Sequence, residues 1–166
     1  MPWMIPYNRG AAVSYAHRWA YRRNPMFFDY EELGGDCTNF ASQCLYAGTG
    51  IMNFTPTYGW YYRNPNDKAP AWTGVPYFFN FLTRTEPSRG PIGLESSIDM
   101  LLPGDFVQLQ FSGDRFSHTP VVVAVGDIPS LENILVAAHS DDADFRPLST
   151  YSFQEIRFIH ILGAYL

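Results

Sequence analysis

Lysine is almost missing from this chain: Lys68 stands alone beside ten arginines, and 16 acidic residues bring the formal net charge to −5. No basic stripe runs along the sequence, so the electrostatic footprint of a nucleic-acid binder is absent and no such partner is expected. No apolar run approaches the ~18 residues that a membrane-spanning helix requires. Met1 to Pro6 has no basic stretch followed by an apolar one, so it does not read as a signal peptide. The expectation is a cytoplasmic protein, or an extracellular one if the chain is a domain of a longer exported precursor. Cysteine is scarce too, at two residues. Cys37 and Cys44 fall seven residues apart on one predicted helix, about 10 Å by helical rise, too far for a mutual disulfide. Close-spaced ligand pairs such as Cys-x-x-Cys or His-x-x-x-His are lacking, so neither metal nor cofactor is expected. Cys37, His118, His139 and Asp141 form a conceivable but weak zinc set.

What the chain does have is apolar and aromatic residues. It is 46% hydrophobic, 16% charged and 17% aromatic over 166 residues, which predicts a single folded domain, taken as a monomer, with aromatic side chains to spare for a groove. Tyr7 to Arg23 reads as an opening helix, with Asn8 as its cap and its arginines facing solvent. A helix from Cys37 stops at Gly48 and Gly50. Asn53 to Thr73 is an aromatic, proline-containing segment that either packs over the core or lines a cleft through residues such as Trp60 and Trp72. Gly74 to Thr83 reads as a short helix, and residues 84–100 as polar turns. Strands follow at Phe106–Phe111, Thr119–Val125, Ile134–Ala138 and Phe158–Leu166, with a polar loop over residues 140–150. Helices first and strands after predict an α+β fold, an antiparallel sheet packed against the cysteine helix.

The stretch with chemistry in it is Gly34-Gly35-Asp36-Cys37-Thr38-Asn39-Phe40-Ala41-Ser42-Gln43-Cys44-Leu45. Asp36 is a good N-cap residue, and Asn39 three positions on can reach back to it. Cys37 therefore falls in the first turn, where unpaired N–H groups and the helix dipole favour an anion and would ease ionisation of a thiol. Cys44 fits a buried apolar role. A thiol nucleophile needs a base and a group to orient that base. His118 stands at the mouth of a strand, where its imidazole can reach a helix N-terminus. His139 ends the next strand and can sit beside it, with Asp141 and Asp142 as rival orienters. His17 reads as a surface or packing residue and His160 as a strand residue.

These residues carry a resemblance. Tyr7-Asn8-Arg9, Gly35 to Gln43, Leu102-Pro103-Gly104-Asp105, Ser117-His118, Ala138-His139-Ser140 and Arg146-Pro147-Leu148 are spaced as in the putative amidase domain family, over nearly the whole chain. That family resembles a papain-like branch related to the CHAP and NlpC/P60 cell-wall peptidases. The resemblance implies a papain-like fold, Cys37 as nucleophile, His118 as base and a third polar residue that maps to His139, with Asp141 as the alternative. It also implies that the Cys37 backbone N–H contributes to an oxyanion hole. Asp36, Trp60 and Trp72 are the candidate substrate contacts. The expected function is a cysteine-dependent amidase or peptidase that hydrolyses an amide in a cell-wall-type peptide through a thioester. An acyltransferase using the same site and a catalytically silent peptide-binding module are the alternatives.

Overall fold

The computed structural model describes residues 2–166. A sheet of seven strands forms its centre, and every pairing in it is antiparallel. In chain order the strands of this sheet are β1 (Met4–Ile5), β4 (Gly90–Ser96), β5 (Phe106–Gln110), β6 (Val121–Ala124), β7 (Leu135–Ala138), β8 (Ala143–Pro147) and β9 (Glu155–Tyr165). A separate ribbon joins β2 (Tyr62–Asn64) to β3 (Asp67–Lys68). Strand β9 organises the sheet: its first half pairs with β5, residues 158–165 pair with β4, and its last residues close on β1. From β5 the sheet continues through β6 and β7 to β8. The α+β expectation and its antiparallel sheet agree with this architecture, and no helix is long and apolar enough to cross a membrane among the described residues.

Strand alternation divides the core in two. Phe106, Val121, Val123, Ala137, Ile159 and Ile161 face α1 (Arg9–Trp19), α2 (Cys37–Thr49), α3 (Pro70–Thr73) and α4 (Val75–Leu82). Val107, Leu109, Val122 and Val136 point to the opposite face, where Leu101, Ile134 and Leu148 cover them. Thr119 has the parity of the helix-facing set and His118 that of the other. That assignment decides where the two side chains act.

The departures from the sequence expectations have local causes. Helix α1 starts on the predicted cap, Asn8 Oδ1 accepting from the Ala11 N–H at 3.0 Å, but it ends at Trp19 rather than Arg23. The Trp19 carbonyl is engaged by the Arg22 N–H and by His139 Nε2, so the ladder does not extend. Residues 84–100 are not only turns. Gly90, Pro91 and Gly93 obscure β4, whose bulge at Ile92/Gly93 requires a glycine, since a Cβ at Gly93 would meet the His160 carbonyl oxygen at 2.6 Å. The 140–150 loop contains β8. Gly50 ends α2 with a left-handed φ of 68°, as expected, whereas Gly48 lies inside the helix, its Cα facing the Tyr7 ring.

Arg9, expected at the surface, is structural. Arg9 donates from Nη1 to Asp105 Oδ1 at 2.8 Å and from Nη2 to the Ile161 carbonyl at 2.7 Å. Tyr7 donates its hydroxyl hydrogen to the Gly104 carbonyl at 2.8 Å. Fully buried Asp105 also accepts from the Leu102 and Ile161 N–H groups, both at 2.9 Å, and lies 2.8 Å from His160 Nδ1. The Tyr-Asn-Arg and Pro-Gly-Asp motifs are thus partners in one joint between α1, the turn before β5, and β9.

Candidate active site

Cys37 is the first residue of α2, 7% exposed. The loop delivering it turns through Gly34 and Gly35 at φ of 97° and 101°, a region that L side chains rarely adopt. Asp36 does not cap the helix with its side chain. Its carboxylate accepts instead from the Tyr30 N–H at 2.8 Å, from Asn39 Nδ2 at 2.9 Å and from His139 Nδ1 at 2.5 Å, with Arg23 Nε 3.7 Å away. Asn39 does reach back, though to the carboxylate rather than to the backbone. Ser140 Oγ accepts from the Asp36 N–H at 3.0 Å and donates to Glu31 at 3.1 Å, tying the β7–β8 turn to the same loop.

The thiol faces the segment just before β6. Cys37 Sγ lies 3.9 Å from the Ser117 carbonyl oxygen and 3.7 Å from Thr38 Oγ1, both within reach of its S–H. A polar row, buried except at half-buried Arg157, backs it. Arg157 donates to Gln108 Oε1 at 2.6 and 2.9 Å, Gln108 Nε2 approaches Thr119 Oγ1 at 3.3 Å, and Thr119 Oγ1 meets Thr38 Oγ1 at 3.0 Å. These four residues were not anticipated. The one sequence clue was polar Gln108 and Gln110 in a strand that proves buried throughout.

His118 is held by its own backbone, which bridges to Leu109: the Leu109 N–H donates to the His118 carbonyl at 3.0 Å. Its ring is buried between Phe111 and Tyr151, centroids 6.0 and 5.6 Å away, and lines a cleft of about 500 Å³ with Ser140, Asp141 and Arg146. Burial pushes the imidazole down to about 4, helped by the positive Arg146 and opposed by Asp141. Burial also raises the Cys37 thiol. The N–H of Thr119 and the groups of Thr38 pull it down, and the negative Asp36 adds to the rise. The helix N-terminus was expected to ease ionisation of this thiol, but desolvation outweighs it, so both side chains are neutral at pH 7.

The other expected site residues are divided between the core and the cleft. His139 is 1% exposed, stacks on Phe40 at 4.0 Å, and places Nδ1 on Asp36 and Nε2 2.8 Å from the Trp19 carbonyl. It has the helix-facing parity of Ala137, opposite to His118, so it does not orient that ring. Asp141 opens into the cleft that His118 lines and lies 3.3 Å from Arg146 Nη1. Trp60 and Trp72, expected to touch substrate, are fully buried against each other at 4.6 Å. Their Nε1–H groups donate to Ser42 and Asn39. Asp36, 1% exposed and engaged on both oxygens, is likewise closed to a substrate. Among the described residues no three of His, Cys, Asp or Glu converge as ligands for one metal ion. A larger groove of about 700 Å³ along α1, beside Ser14, Arg18 and Met26, contains neither the thiol nor a histidine.

Comparison with known proteins decides the family. The family model described as "Putative amidase domain" matches residues 6–162. The chain belongs to that family. Membership extends from Pro6, beside the Tyr7–Arg9 joint, into β9, and so takes in the thiol, the cleft and the polar row. The chain is 30% identical over 161 residues to the uncharacterized protein YhbB of Bacillus subtilis strain 168, which covers 90% of this chain and 50% of YhbB. The chain therefore spans about half the length of that relative. No solved structure matches it.

Proposed function

We propose that this amidase-family domain is a papain-like cysteine amidase or peptidase, with Cys37 as nucleophile and His118 as base. The observation that carries the reading is the placement of the thiol at the head of α2, against the 117–119 segment that contains His118, whose ring lines the cleft. Because the resting pair is neutral, His118 takes the thiol proton as Sγ attacks, rather than holding a preformed ion pair. The carbonyl oxygen becomes an oxyanion facing the Cys37 N–H, which has no intrahelical partner in the first turn. Collapse breaks the C–N bond, and the imidazolium returns its proton to the leaving amine. Water then attacks the thioester with His118 again as base, releasing a carboxylic acid and the free thiol.

Asp141 is the third member in this reading, as the acid that shares the cleft with His118. His139 is a positioning residue: through Asp36 it fixes the loop that delivers Cys37. A cell-wall-type peptide is the proposed substrate class, on the resemblance of the motif set to the CHAP and NlpC/P60 peptidases. The test is hydrolysis of a panel of peptide amides by the wild type, Cys37→Ala and His118→Ala, with trapping of the acyl-enzyme by mass spectrometry. A mass adduct on Cys37 and loss of turnover in both variants are expected. Turnover that survives Cys37→Ala would overturn the assignment.

A further inference from the structure

The cleft contains a cation, Arg146, that the thiol chemistry does not use. Arg146, on β8, is fixed on one side: Nε donates to Thr150 Oγ1 at 2.8 Å and Nη2 to the Thr150 carbonyl at 3.1 Å. Thr150 is itself held by donating to the Pro147 carbonyl at 2.7 Å. The guanidinium lies over the face of Tyr151, 3.7 Å from the ring centroid, and that ring packs on His118. Such pinning pre-orders the planar fork that recognises carboxylates. On the open side its acidic neighbour is Asp141, at 3.3 Å, whose side chain is 88% exposed while that of Arg146 is 27% exposed. An ion pair with so exposed a partner contributes little and is readily exchanged. The cleft therefore presents a rigid cation whose anionic partner is replaceable.

Its location says which half of a substrate meets that cation. His118 lines the cleft and Cys37 does not. The proton that the imidazolium delivers goes to the leaving nitrogen, so the group on that nitrogen extends to the histidine's side. We infer that the cleft selects amides whose amine component has a carboxylate close to the scissile nitrogen, and that Arg146 binds this carboxylate by displacing Asp141. This rests on the amidase reading above and narrows its substrate class. The carboxylate can be the α-carboxylate of an amino acid released from a peptide end, or the side chain of an acidic residue just after the scissile bond. A cationic group at that position would face Arg146 and be disfavoured.

The experiment compares N-acetyl-alanyl-alanine, its carboxamide, and N-acetyl-alanyl-glutamate carboxamide as substrates of the wild type and of Arg146→Gln. The same three ligands are titrated into non-turning-over Cys37→Ala, with binding read from the His118 ring resonances by NMR. A lost charged hydrogen bond of this kind corresponds to about 10- to 100-fold, so the wild type is expected to favour a carboxylate-bearing compound over the plain carboxamide by that factor. Which of the two compounds gains identifies the source of the carboxylate. In Arg146→Gln the ratio should fall toward one, and in Cys37→Ala the favoured compound should bind more tightly than the carboxamide. Equal turnover and equal binding of all three by the wild-type cleft would overturn the inference, as would binding by none of them. If none is hydrolysed yet a carboxylate compound still binds Cys37→Ala selectively, the cleft assignment stands and the amidase reading fails.

Discussion

His118 makes the fold sensitive to acid in a window that can be stated in advance. The ring is 5% exposed, sits between Phe111 and Tyr151, and titrates at about 4 against about 6.5 for a free histidine. Above pH 6.5 the residue is neutral in both the folded and the unfolded chain and adds no pH dependence. Between 6.5 and about 4 the unfolded chain binds a proton that the folded one refuses, so stability falls as pH falls, and it levels off below 4. The displacement is about 2.5 pH units, worth about 1.4 kcal/mol each, giving a loss of about 3 kcal/mol. That is a large part of the 5–15 kcal/mol typical of a domain. Urea unfolding of the wild type and His118→Gln at intervals from pH 7 to pH 4 isolates the contribution, because every other titrating group is common to both proteins. The wild type is expected to lose about 3 kcal/mol more than the variant across that range. The His118 ring resonance should also stay at its neutral position at pH 5. Parallel stability curves, or an imidazolium at pH 5, would refute the burial argument.

The thiol, the Asp36 loop and the joint between α1 and β9 can each be probed in turn. Alkylation of Cys37 by iodoacetamide should be slow at pH 7 and rise into the alkaline range, because burial raises the thiol, while Cys44 at 0% exposure stays unmodified in the native protein. Peptide mass spectrometry reads the two sites separately, and fast modification of Cys37 at pH 6 would contradict a neutral resting pair. His139→Ala leaves the Asp36 carboxylate buried beside a hole. It should cost about 3–5 kcal/mol in chemical denaturation, and a loss below 1 kcal/mol would show that the loop does not depend on it. Arg9→Ala removes the guanidinium from fully buried Asp105 and should cost a comparable amount, about 3 kcal/mol or more, by the same assay. Gly48→Ala places a Cβ 2.3 Å from the Tyr7 ring and 2.8 Å from the Asn8 carbonyl oxygen, so a measurable drop in Tm is expected and an unchanged Tm would refute it.

The readable parts of this protein were those with a local signal. Asn8 announces α1, Gly50 ends α2, and the β-branched run before Val125 gives β6, since capping, a positive φ and alternation depend on near neighbours. The proposal for Cys37 and His118 comes from the recognisable spacing of the residues that flank them. The place of His139 was not legible. His139 and His118 lie at the same end of adjacent strands, but a strand turns successive side chains to opposite faces, and the parity that separates them depends on register rather than on sequence order. Strand β4 was lost behind its glycines and proline, which serve a bulge against His160 that only the partner strand explains. The aromatic segment from residue 53 to 73 could be read as wall or as core. Its tryptophans go inward because Ser42 and Asn39, on the distant helix α2, supply acceptors for their indole N–H groups.

The joint between Arg9, Asp105 and the Ile161 backbone also has a kinetic meaning. It ties together positions 96 and 152 residues apart, and β9 is the strand on which β1, β4 and β5 all assemble. Contacts of such long sequence separation close slowly, because the chain entropy they cost must be lost before they reward it. Until residues 155–165 are in place, β5 and β6 lack their anchor, and His118 lacks the Leu109 bridge that positions it. Cys37 can form its helix early, but the 117–119 segment against which its thiol rests is fixed only with the completed sheet. In the proposed reading, the thiol is therefore expected to wait for its base until β9 has joined the sheet.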